Sequence, residues 1–335
     1  MPLVTAVTIH PSQFPEQVRR DLLASLHTRR VNHKFHYDSV RQTQKWLALH
    51  QAYSPTRNDT DCRTIYVKGF KAVAAQIKSR RVDVVGLGCG GGQKDTRLLK
   101  RLKARGKEVF YTPCDVSTAM VLTARQTALT VLSGDKCFPL VCDLATTDDL
   151  GNLIGSARCA GRTPRRSVPA IPRLVTFFGM IPNFEPQHIL PKLASLIRQK
   201  DFLLFSANLA PGSDYGAGLK RILPQYDNTL TRDWLMTFLL DLGVERRDGD
   251  LKFTIEDGRL GLKRVVARFH FRRACRVEIE DKAFNFKIGD SIQLFFSYRY
   301  TPERVRKVLA RYSLKVCSQW IVKSEEEGVF LVGRA

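Results

Sequence analysis

The glycines between residues 88 and 92 are the clearest candidates for ligand chemistry in this chain. An apolar run, residues 82–87, leads directly into Gly-Cys-Gly-Gly-Gly-Gln-Lys at residues 88–94. Gly88, Gly90 and Gly92 let the backbone turn tightly and approach a ligand where a Cβ atom would collide. Glycine-rich turns between a strand and a helix bind several phosphate- or adenosine-containing ligands, so this turn alone does not select one of them.

Two acids follow at the ends of the next predicted strands. Residues 109–115 end on Asp115 and residues 138–143 end on Asp143. The first is placed to accept hydrogen bonds from ribose hydroxyls, and the second is placed to meet an adenine amino group. A fourth predicted strand, residues 174–179, then runs into a Met-Ile-Pro-Asn loop. This order is more typical of an S-adenosylmethionine-dependent methyltransferase than of a dehydrogenase.

A phosphate-binding P-loop is excluded, because the glycines would have to end in Gly-Lys-Ser/Thr. Here Gln93, Lys94 and Asp95 follow the last glycine.

The elements that must position these residues alternate between strand and helix. Residues 58–208 show the alternation of parallel βαβ units, interrupted by a basic loop at residues 151–172. Residues 1–57 are predicted to be helical. Period-two patterns at 251–255 and 260–279 predict antiparallel strands. A helix beginning near Thr301 and two final strands complete an α/β fold with an antiparallel closing hairpin.

Composition narrows the class of protein further. The chain has 335 residues, of which 44% are hydrophobic. No apolar run reaches the roughly 18–20 residues of a membrane span, and the N-terminus shows no secretory signal pattern. Eight cysteines are scattered without Cys-x-x-Cys or zinc-finger spacing. We therefore expect a cytoplasmic protein with reduced thiols, no metal site and no membrane association.

The net charge of +22 raises nucleic acid as a partner. The basic residues are nevertheless dispersed in short pairs such as Lys100-Arg101, Arg246-Arg247 and Arg272-Arg273. No RNA-binding signature or aromatic and basic stripe organises them. The sequence therefore predicts a generally basic surface, a small-molecule substrate and a monomer rather than a nucleic-acid-binding protein.

Several longer segments resemble one known family. They are Lys-Phe-His-Tyr-Asp at 34–38, Tyr-Ser-Pro-Thr-Arg at 53–57, residues 178–184, Gln-Tyr-Asp-Asn at 225–228 and Ser-Tyr-Arg-Tyr-Thr-Pro-Glu at 297–303. Together with the glycine turn and the two acids, they resemble the histidine Nα-methyltransferases of ergothioneine biosynthesis. Relatives of that family include fungal enzymes that methylate the amine of tryptophan-type amino acids. The resemblance covers nearly the whole chain.

The resemblance implies a Rossmann-like class I methyltransferase sheet and a second, α+β domain that covers the substrate. Residues 58–208 and 298–335 would bind S-adenosylmethionine, and residues 1–57 and 209–297 would form the second domain. The cofactor would leave as S-adenosylhomocysteine, with no metal involved. By position, its contacts would be Tyr37, Gly88, Gly90, Lys94, Asp115 and Asp143.

The resemblance also implies a substrate site. Asn183 and Tyr226 would hold the α-carboxylate of an amino acid, because an amide and a phenol donate hydrogen bonds without adding charge. Tyr53 would line the pocket. Tyr37 and Tyr53 would orient the amine and help pass its proton to water, since methyl transfer from a sulfonium depends mostly on positioning.

The sequence departs from the family pattern at four places. The acid usual at the end of the first strand is replaced by Gly86, so we expect its support of the glycine turn to be missing. The loop at 179–183 is one residue shorter than in the family. The family's glutamate that binds the imidazole falls at Phe295, while its partner serine is kept as Ser297.

The pocket methionine of the family falls at Leu262. A phenylalanine at position 295 cannot accept an imidazole N–H, and leaving that group unpaired costs about 1–3 kcal/mol. The sequence therefore predicts an apolar or aromatic amino acid as substrate in place of histidine. A shift of one residue in this strand would bring Phe296 or Leu294 into the pocket instead.

Three other functions stay open at this point. The first is methylation of histidine itself. The second is an RNA or protein methyltransferase, which the charge favours although the Asn/Asp-Pro-Pro-Tyr/Phe motif of base-methylating enzymes is missing. The third is a catalytically silent scaffold that binds S-adenosylmethionine.

Overall fold

A mixed eight-stranded sheet lies at the centre of the protein, in a computed structural model that describes residues 5–53, 59–159 and 171–335. The strands of the chain are β1 (Thr8–Ile9), β2 (Arg81–Leu87), β3 (Glu108–Asp115), β4 (Leu140–Val141), β5 (Arg173–Phe178), β6 (Phe202–Asn208), β7 (Gly249–Asp257), β8 (Lys263–Phe271), β9 (Cys275–Ile279), β10 (Lys282–Phe286), β11 (Ser291–Arg299), β12 (Leu314–Ile321) and β13 (Glu327–Arg334). The helices are α1 (Pro15–Thr28), α2 (Val40–Tyr53), α3 (Thr60–Gln76), α4 (Gln93–Ala104), α5 (Thr118–Ala128), α6 (Leu150–Cys159), α7 (Pro186–Leu196), α8 (Tyr215–Ile222), α9 (Thr229–Asp241) and α10 (Pro302–Ala310).

The strand order of the central sheet is β1-β4-β3-β2-β5-β6-β13-β12. The first six strands in this order pair in parallel, whereas β13 is antiparallel to β6 and β12 is antiparallel to β13. The predicted α/β class and antiparallel closing hairpin are therefore confirmed. A parallel sheet of this kind binds its ligand at the carboxyl ends of its strands, where the strand order reverses.

Both faces of this sheet are covered by helices, which is why its strands are almost continuously apolar. Strand β2 shows the division, because Val82 and Val84 pack in the core beneath α3 and α4. Val85 and Leu87, which point the opposite way, belong to the core beneath α6, α7 and α10.

The N-terminal region differs from the helical prediction at one edge of the sheet. Thr8 and Ile9 form a short strand that pairs in parallel with Leu140 and Val141. The hydroxyl of Ser12 then accepts a hydrogen bond from the backbone N–H of Asp143, at 3.0 Å. Strand β4 offers an unpaired edge here, and this short segment covers it.

A second, three-stranded antiparallel sheet has the order β11-β8-β7, with the hairpin β9-β10 beside it. It shares an aromatic core with α9 and the segment before α2, including Phe35, Trp234, Phe238, Phe269 and Phe295.

Strand β11 contains a bulge. Gln293 pairs with Arg268 and Phe295 pairs with Ala267, so Leu294 is an extra residue on this strand. A bulge reverses which side chains face each side of the strand beyond it.

Candidate active site

One cavity of about 1010 Å³ lies along the carboxyl ends of β2, β3, β5 and β6. The segment 31–37, helix α2 and the loop after β5 form its opposite wall. Seven of the residues predicted from the sequence line this cavity: Tyr37, Gly88, Gly90, Lys94, Asp115, Asp143 and Asn183. The structure therefore brings together the whole predicted cofactor set and one of the predicted substrate ligands.

The glycine turn needs its glycines for two separate reasons. Gly88, Gly90 and Gly92 all have positive φ, at +58°, +52° and +75°. A Cβ on Gly88 would also lie 2.5 Å from Cγ of Met180, and one on Gly92 would lie 2.7 Å from Cα of Ala124. The turn is therefore held close to both the loop after β5 and helix α5.

The two predicted acids lie at neighbouring strand ends with their carboxylates fixed. Asp115 accepts hydrogen bonds from the backbone N–H of Gly90 at 3.0 Å and of Ser117 at 3.1 Å. Burial raises the pKa of Asp115, and these backbone hydrogen bonds oppose the rise. Asp143 accepts from the backbone N–H of Ala145 at 2.8 Å and from the amide of Asn32 at 3.4 Å.

We expected the carboxylate that supports the glycine turn to be missing, but Asp95 supplies one. This residue lies in the first turn of α4, is 3% exposed, and accepts hydrogen bonds from the hydroxyls of Tyr111 and Thr176, both at 2.7 Å. A Cβ on Gly86 would lie 2.3 Å from Oδ2 of Asp95. A carboxylate therefore does lie beside position 86, but it comes from the helix and not from the strand.

The two tyrosines predicted to act at the amine lie in different surroundings. Tyr37 is buried against Trp46 and Trp234, with ring centroids 5.9 and 5.6 Å away. Burial, and then the charge of Asp115, raise the pKa of the Tyr37 phenol, so it keeps its proton at neutral pH. Tyr53 ends α2, is 55% exposed, and is not among the described residues that line the cavity. The rest of its predicted segment, residues 54–57, lies outside the described residues.

Four predicted substrate residues are not among the described residues that line the cavity and lie behind its wall: Tyr226, Leu262, Phe295 and Ser297. The hydroxyl of Tyr226 donates to Ser297 at 2.9 Å and accepts from Nε of Arg299 at 3.0 Å. Phe295 packs on Trp234 with ring centroids 5.6 Å apart. Leu262, 1% exposed, belongs to the core of the large sheet.

The bulge at Leu294 explains the placement of Phe295. It sends Phe295 and Ser297 to the core side of β11, and Phe296 lines the cavity in their place. The one-residue shift considered for this strand is the arrangement that the structure has.

Sequence reasoning missed His33, which lies directly before the Lys-Phe-His-Tyr-Asp segment and lines the cavity. Its ring lies 5.0 Å from that of Phe296 and stacks on Phe184 at 6.5 Å. Neither ring nitrogen has a hydrogen-bond partner in the described part of the chain. Burial lowers the pKa of His33 to about 3, so the imidazole is neutral at physiological pH.

Glu185 fixes this aromatic wall to the smaller sheet. It accepts hydrogen bonds from Nη1 of Arg264 at 2.8 Å and from the hydroxyl of Tyr298 at 2.7 Å. The guanidinium of Arg264 in turn lies 5.1 Å from the ring centroid of Phe296. An acidic residue just after the Asn183 loop was visible in the sequence, but nothing local indicated its partner 79 residues further on.

The sequence matches the family described as histidine-specific, S-adenosylmethionine-dependent methyltransferases over residues 16–215 and 260–334. The chain belongs to this family. It is therefore an S-adenosylmethionine-dependent methyltransferase. Comparison of the sequence with curated proteins gives no match.

Solved structures of low identity are also similar. An S-adenosylmethionine-dependent methyltransferase from Clostridium acetobutylicum is 13% identical, with a TM-score of 0.45, and the match covers 87% of this chain and 98% of that one. Magnesium protoporphyrin IX methyltransferase from Synechocystis, with bound SAH, is 14% identical with a TM-score of 0.44, covering 88% and 95%. The CcbJ methyltransferase from Streptomyces caelestis is 13% identical with a TM-score of 0.40, covering 81% and 95%.

No helix within residues 5–53, 59–159 and 171–335 has the length and apolar character of a membrane span. In the same ranges, no group of His, Cys, Asp and Glu side chains is arranged to hold a metal ion.

Proposed function

We propose that this enzyme methylates the α-amine of a free amino acid, or of a small molecule derived from one, whose side chain is apolar or aromatic. The observation that carries the proposal is the wall formed by Phe184, Phe296 and the neutral ring of His33. Such a wall rewards buried apolar area at about 25 cal/mol per Å². It also places no described carboxylate against the side chain, apart from Glu185, which is already paired with Arg264.

The proposed cofactor contacts follow from the fixed groups of the cavity. We assign the ribose hydroxyls to Asp115, the adenine amino group to Asp143 and the cofactor's carboxylate to Lys94. Gly88 and Gly90 bring the backbone close to the ligand, and the buried phenol of Tyr37 acts as a hydrogen-bond donor beside Asp115. The fit is supported by the cavity, whose lining includes the glycine turn, Lys94 and both strand-end acids.

On the substrate side, we propose that the amide of Asn183 binds the α-carboxylate. Asn183 ends the short helical turn Ile181–Asn183 and lines the cavity. Tyr226, Leu262, Phe295 and Ser297 are proposed to shape the wall from behind. Tyr53 stays a predicted pocket residue.

The chemistry asks the protein mainly to position its reactants. When bound, S-adenosylmethionine supplies a methyl group that is already electrophilic. The amine must be neutral when it attacks the methyl group, since an α-ammonium, whose pKa is about 8, has no free lone pair. The protein's part is then to hold that nitrogen in line with the methyl group and to exclude water.

The proposal keeps the division expected from the sequence. Residues 58–208 and 298–335 form the cofactor domain, and residues 1–57 and 209–297 cover the substrate. We also keep the cytoplasmic location and the monomeric state as parts of the proposal.

A panel of amino acids with mass-spectrometric detection of methylated products tests the function. We expect kcat/KM to be higher for tryptophan and phenylalanine than for histidine. Phe296→Ala should lower kcat/KM for these large substrates, while the matched variant Phe253→Ala, which lies outside the cavity, should leave it unchanged. Preference of the unmodified protein for histidine would contradict the proposal.

Histidine remains the second candidate substrate. The observation that favours it is the description of the matching family as histidine-specific. The same panel decides between the two.

A further inference from the structure

A buried carboxylate lies at the end of the cavity next to β6. Glu327 is the first residue of β13 and pairs with Asn208, the last residue of β6. Because β13 runs antiparallel to β6, its first residue lies at the carboxyl edge of the parallel strands. Glu327 is 8% exposed, and both Glu327 and Asn208 line the cavity.

The hydrogen-bond partners of Glu327 are neutral groups. Its Oε1 accepts from the phenol of Tyr66 at 2.5 Å, and its Oε2 accepts from the thiol of Cys62 at 3.2 Å. Burial and the nearby carboxylate raise the pKa of both donors, so both keep their protons. Both oxygens of the Glu327 carboxylate are therefore hydrogen-bond acceptors for neutral donors.

A lysine contacts the phenol of Tyr66 and not the carboxylate. Nζ of Lys94 donates to the hydroxyl of Tyr66 at 3.0 Å and lies 4.6 Å from the centroid of its ring. Among the described residues, no cation lies within ion-pair distance of Glu327, so the phenol separates the two charges. Of the titratable groups nearby, Cys62 and Tyr66 on α3 donate to Glu327, and Arg63 on α3 and Lys94 on α4 line the same cavity. The charge of Asp59, before α3, acts on Cys62. Strand β6 contributes Ser206, which accepts from Tyr66, and Asn208, which pairs with Glu327, and neither of these titrates.

The other acids of the cavity already have a role, and for Asp115 and Asp143 that role is the proposed binding of the cofactor. Asp115 and Asp143 each accept from a backbone N–H, and Asp95 holds Tyr111 and Thr176. Glu185 is paired with Arg264. Glu327 still has lone pairs to offer, since a carboxylate can accept about four hydrogen bonds and the described donors use two of them.

We propose that Glu327 binds the α-ammonium group of the amino-acid substrate and takes its proton before methyl transfer. This inference rests on the proposed function and adds a catalytic residue to it. One N–H bond of the ammonium breaks, its electron pair stays on nitrogen, and the proton bonds to the carboxylate. The nitrogen lone pair then forms the bond to the methyl carbon, the methyl–sulfur bond breaks, and its electron pair stays on sulfur. Asn208 lies beside Glu327 to orient the amine.

The test compares Glu327→Gln with Glu326→Gln. Position 326 is the neighbouring acid, which pairs with Gln225 at the surface and serves as the matched control. The substrate is the standard amino acid that the unmodified protein methylates fastest. We expect Glu327→Gln to lower kcat/KM about 100-fold at pH 7, the lower end of the range for general-base catalysis.

The deficit should shrink as the pH rises above the pKa of the amine, because the substrate then arrives without the extra proton. Affinity for S-adenosylmethionine, measured by calorimetry, should stay within about twofold. If Glu327→Gln fails to fold, Glu327→Asp provides the second test, with a lower kcat and an unchanged shape of the pH profile.

Two results would overturn the assignment. One is an unchanged kcat/KM in folded Glu327→Gln. The other is a loss of S-adenosylmethionine affinity as large as the loss of kcat/KM, which would show that the carboxylate holds the ammonium of the cofactor. Failure of the unmodified protein on every amino acid would instead contradict the proposed function, and the inference with it.

Discussion

Replacing Asp95 should destabilise the protein more than any surface change, because this carboxylate joins three elements beneath the cofactor turn. It accepts from Tyr111 on β3 and from Thr176 on β5, while its own backbone belongs to α4. Asp95→Ala removes both bonds and leaves two buried hydroxyls without their acceptor. At about 1–3 kcal/mol for each of the two unsatisfied groups, we expect a loss of roughly 2–6 kcal/mol.

Asp95→Asn is the matched variant. Burial raises the pKa of the Asp95 carboxyl, so the folded protein disfavours the charged form that asparagine lacks. The amide can accept from one hydroxyl and donate to the other, so we expect a loss of less than about 1.5 kcal/mol.

Position 86 provides a second perturbation of the same space. A Cβ there would lie 2.3 Å from the carboxylate of Asp95, so Gly86→Asp should destabilise on its own by at least ~1–3 kcal/mol, the cost of overpacking. Combined with Asp95→Ala, however, the new carboxylate gains the vacated space. We therefore expect the double variant to be more stable than the sum of the two single changes predicts.

Urea unfolding followed by tryptophan fluorescence measures all four variants, with S-adenosylmethionine titration as a check of the turn. A decrease of less than about 1 kcal/mol in the free energy of unfolding of Asp95→Ala would contradict this role of Asp95. Simple additivity of the unfolding free-energy changes of Asp95→Ala and Gly86→Asp would contradict it as well, since residues in direct contact should be coupled by more than about 0.5 kcal/mol.

Three further predictions follow from the cavity. Asp115→Ala should weaken S-adenosylmethionine binding by about 1–3 kcal/mol, and calorimetry showing unchanged affinity would contradict the ribose assignment. Burial lowers the pKa of His33 to about 3 and that of His36 to about 4, so the unfolded chain takes up protons first as the pH falls below 6.5. The free energy of unfolding should therefore fall by up to ~1.4 kcal/mol per pH unit for each histidine between pH 6.5 and 4, and His33→Phe should remove one of these two contributions. Decarboxylated amines should be poor substrates if Asn183 binds the α-carboxylate, and equal rates for tryptamine and tryptophan would contradict that role.

The residues whose position at the cavity could be predicted from the sequence are those fixed by local geometry. Gly88 and Gly92 must be glycines because their φ angles are positive and their Cβ atoms would collide. Asp115 could be placed because the carboxyl ends of neighbouring parallel strands meet at one edge of a sheet. Thr301 likewise caps α10 by accepting from the N–H of Arg304, a short-range signal that needs no tertiary structure.

Asp95 could not be predicted in the same way, because its role depends on space between elements. The carboxylate missing at position 86 of the strand is supplied by Asp95, nine positions later on a helix. No pattern along the chain indicates that these two positions lie side by side in the fold. His33 shows the same limit, since its neighbours Phe184 and Phe296 are far away in sequence and their contact depends on how the two sheets meet.

The cavity wall formed by Phe184, Phe296 and His33 shows how one β-bulge changes a prediction about substrate specificity. In a regular strand, alternate side chains face the same side. A family comparison that places one residue in the pocket therefore also places the residue two positions later in the pocket. Phe295 and Ser297 obey this rule together, but the bulge at Leu294 turns both of them toward Tyr226 and Trp234. Phe296 therefore lines the cavity. The guanidinium of Arg264 lies over its ring and donates a hydrogen bond to Glu185. The proposed preference for an apolar side chain is unchanged by the bulge, because the residue that the bulge brings to the cavity is also a phenylalanine. It would not survive in a relative with a polar residue at that position, and Phe296 is accordingly the position at which substitution should change the choice of substrate.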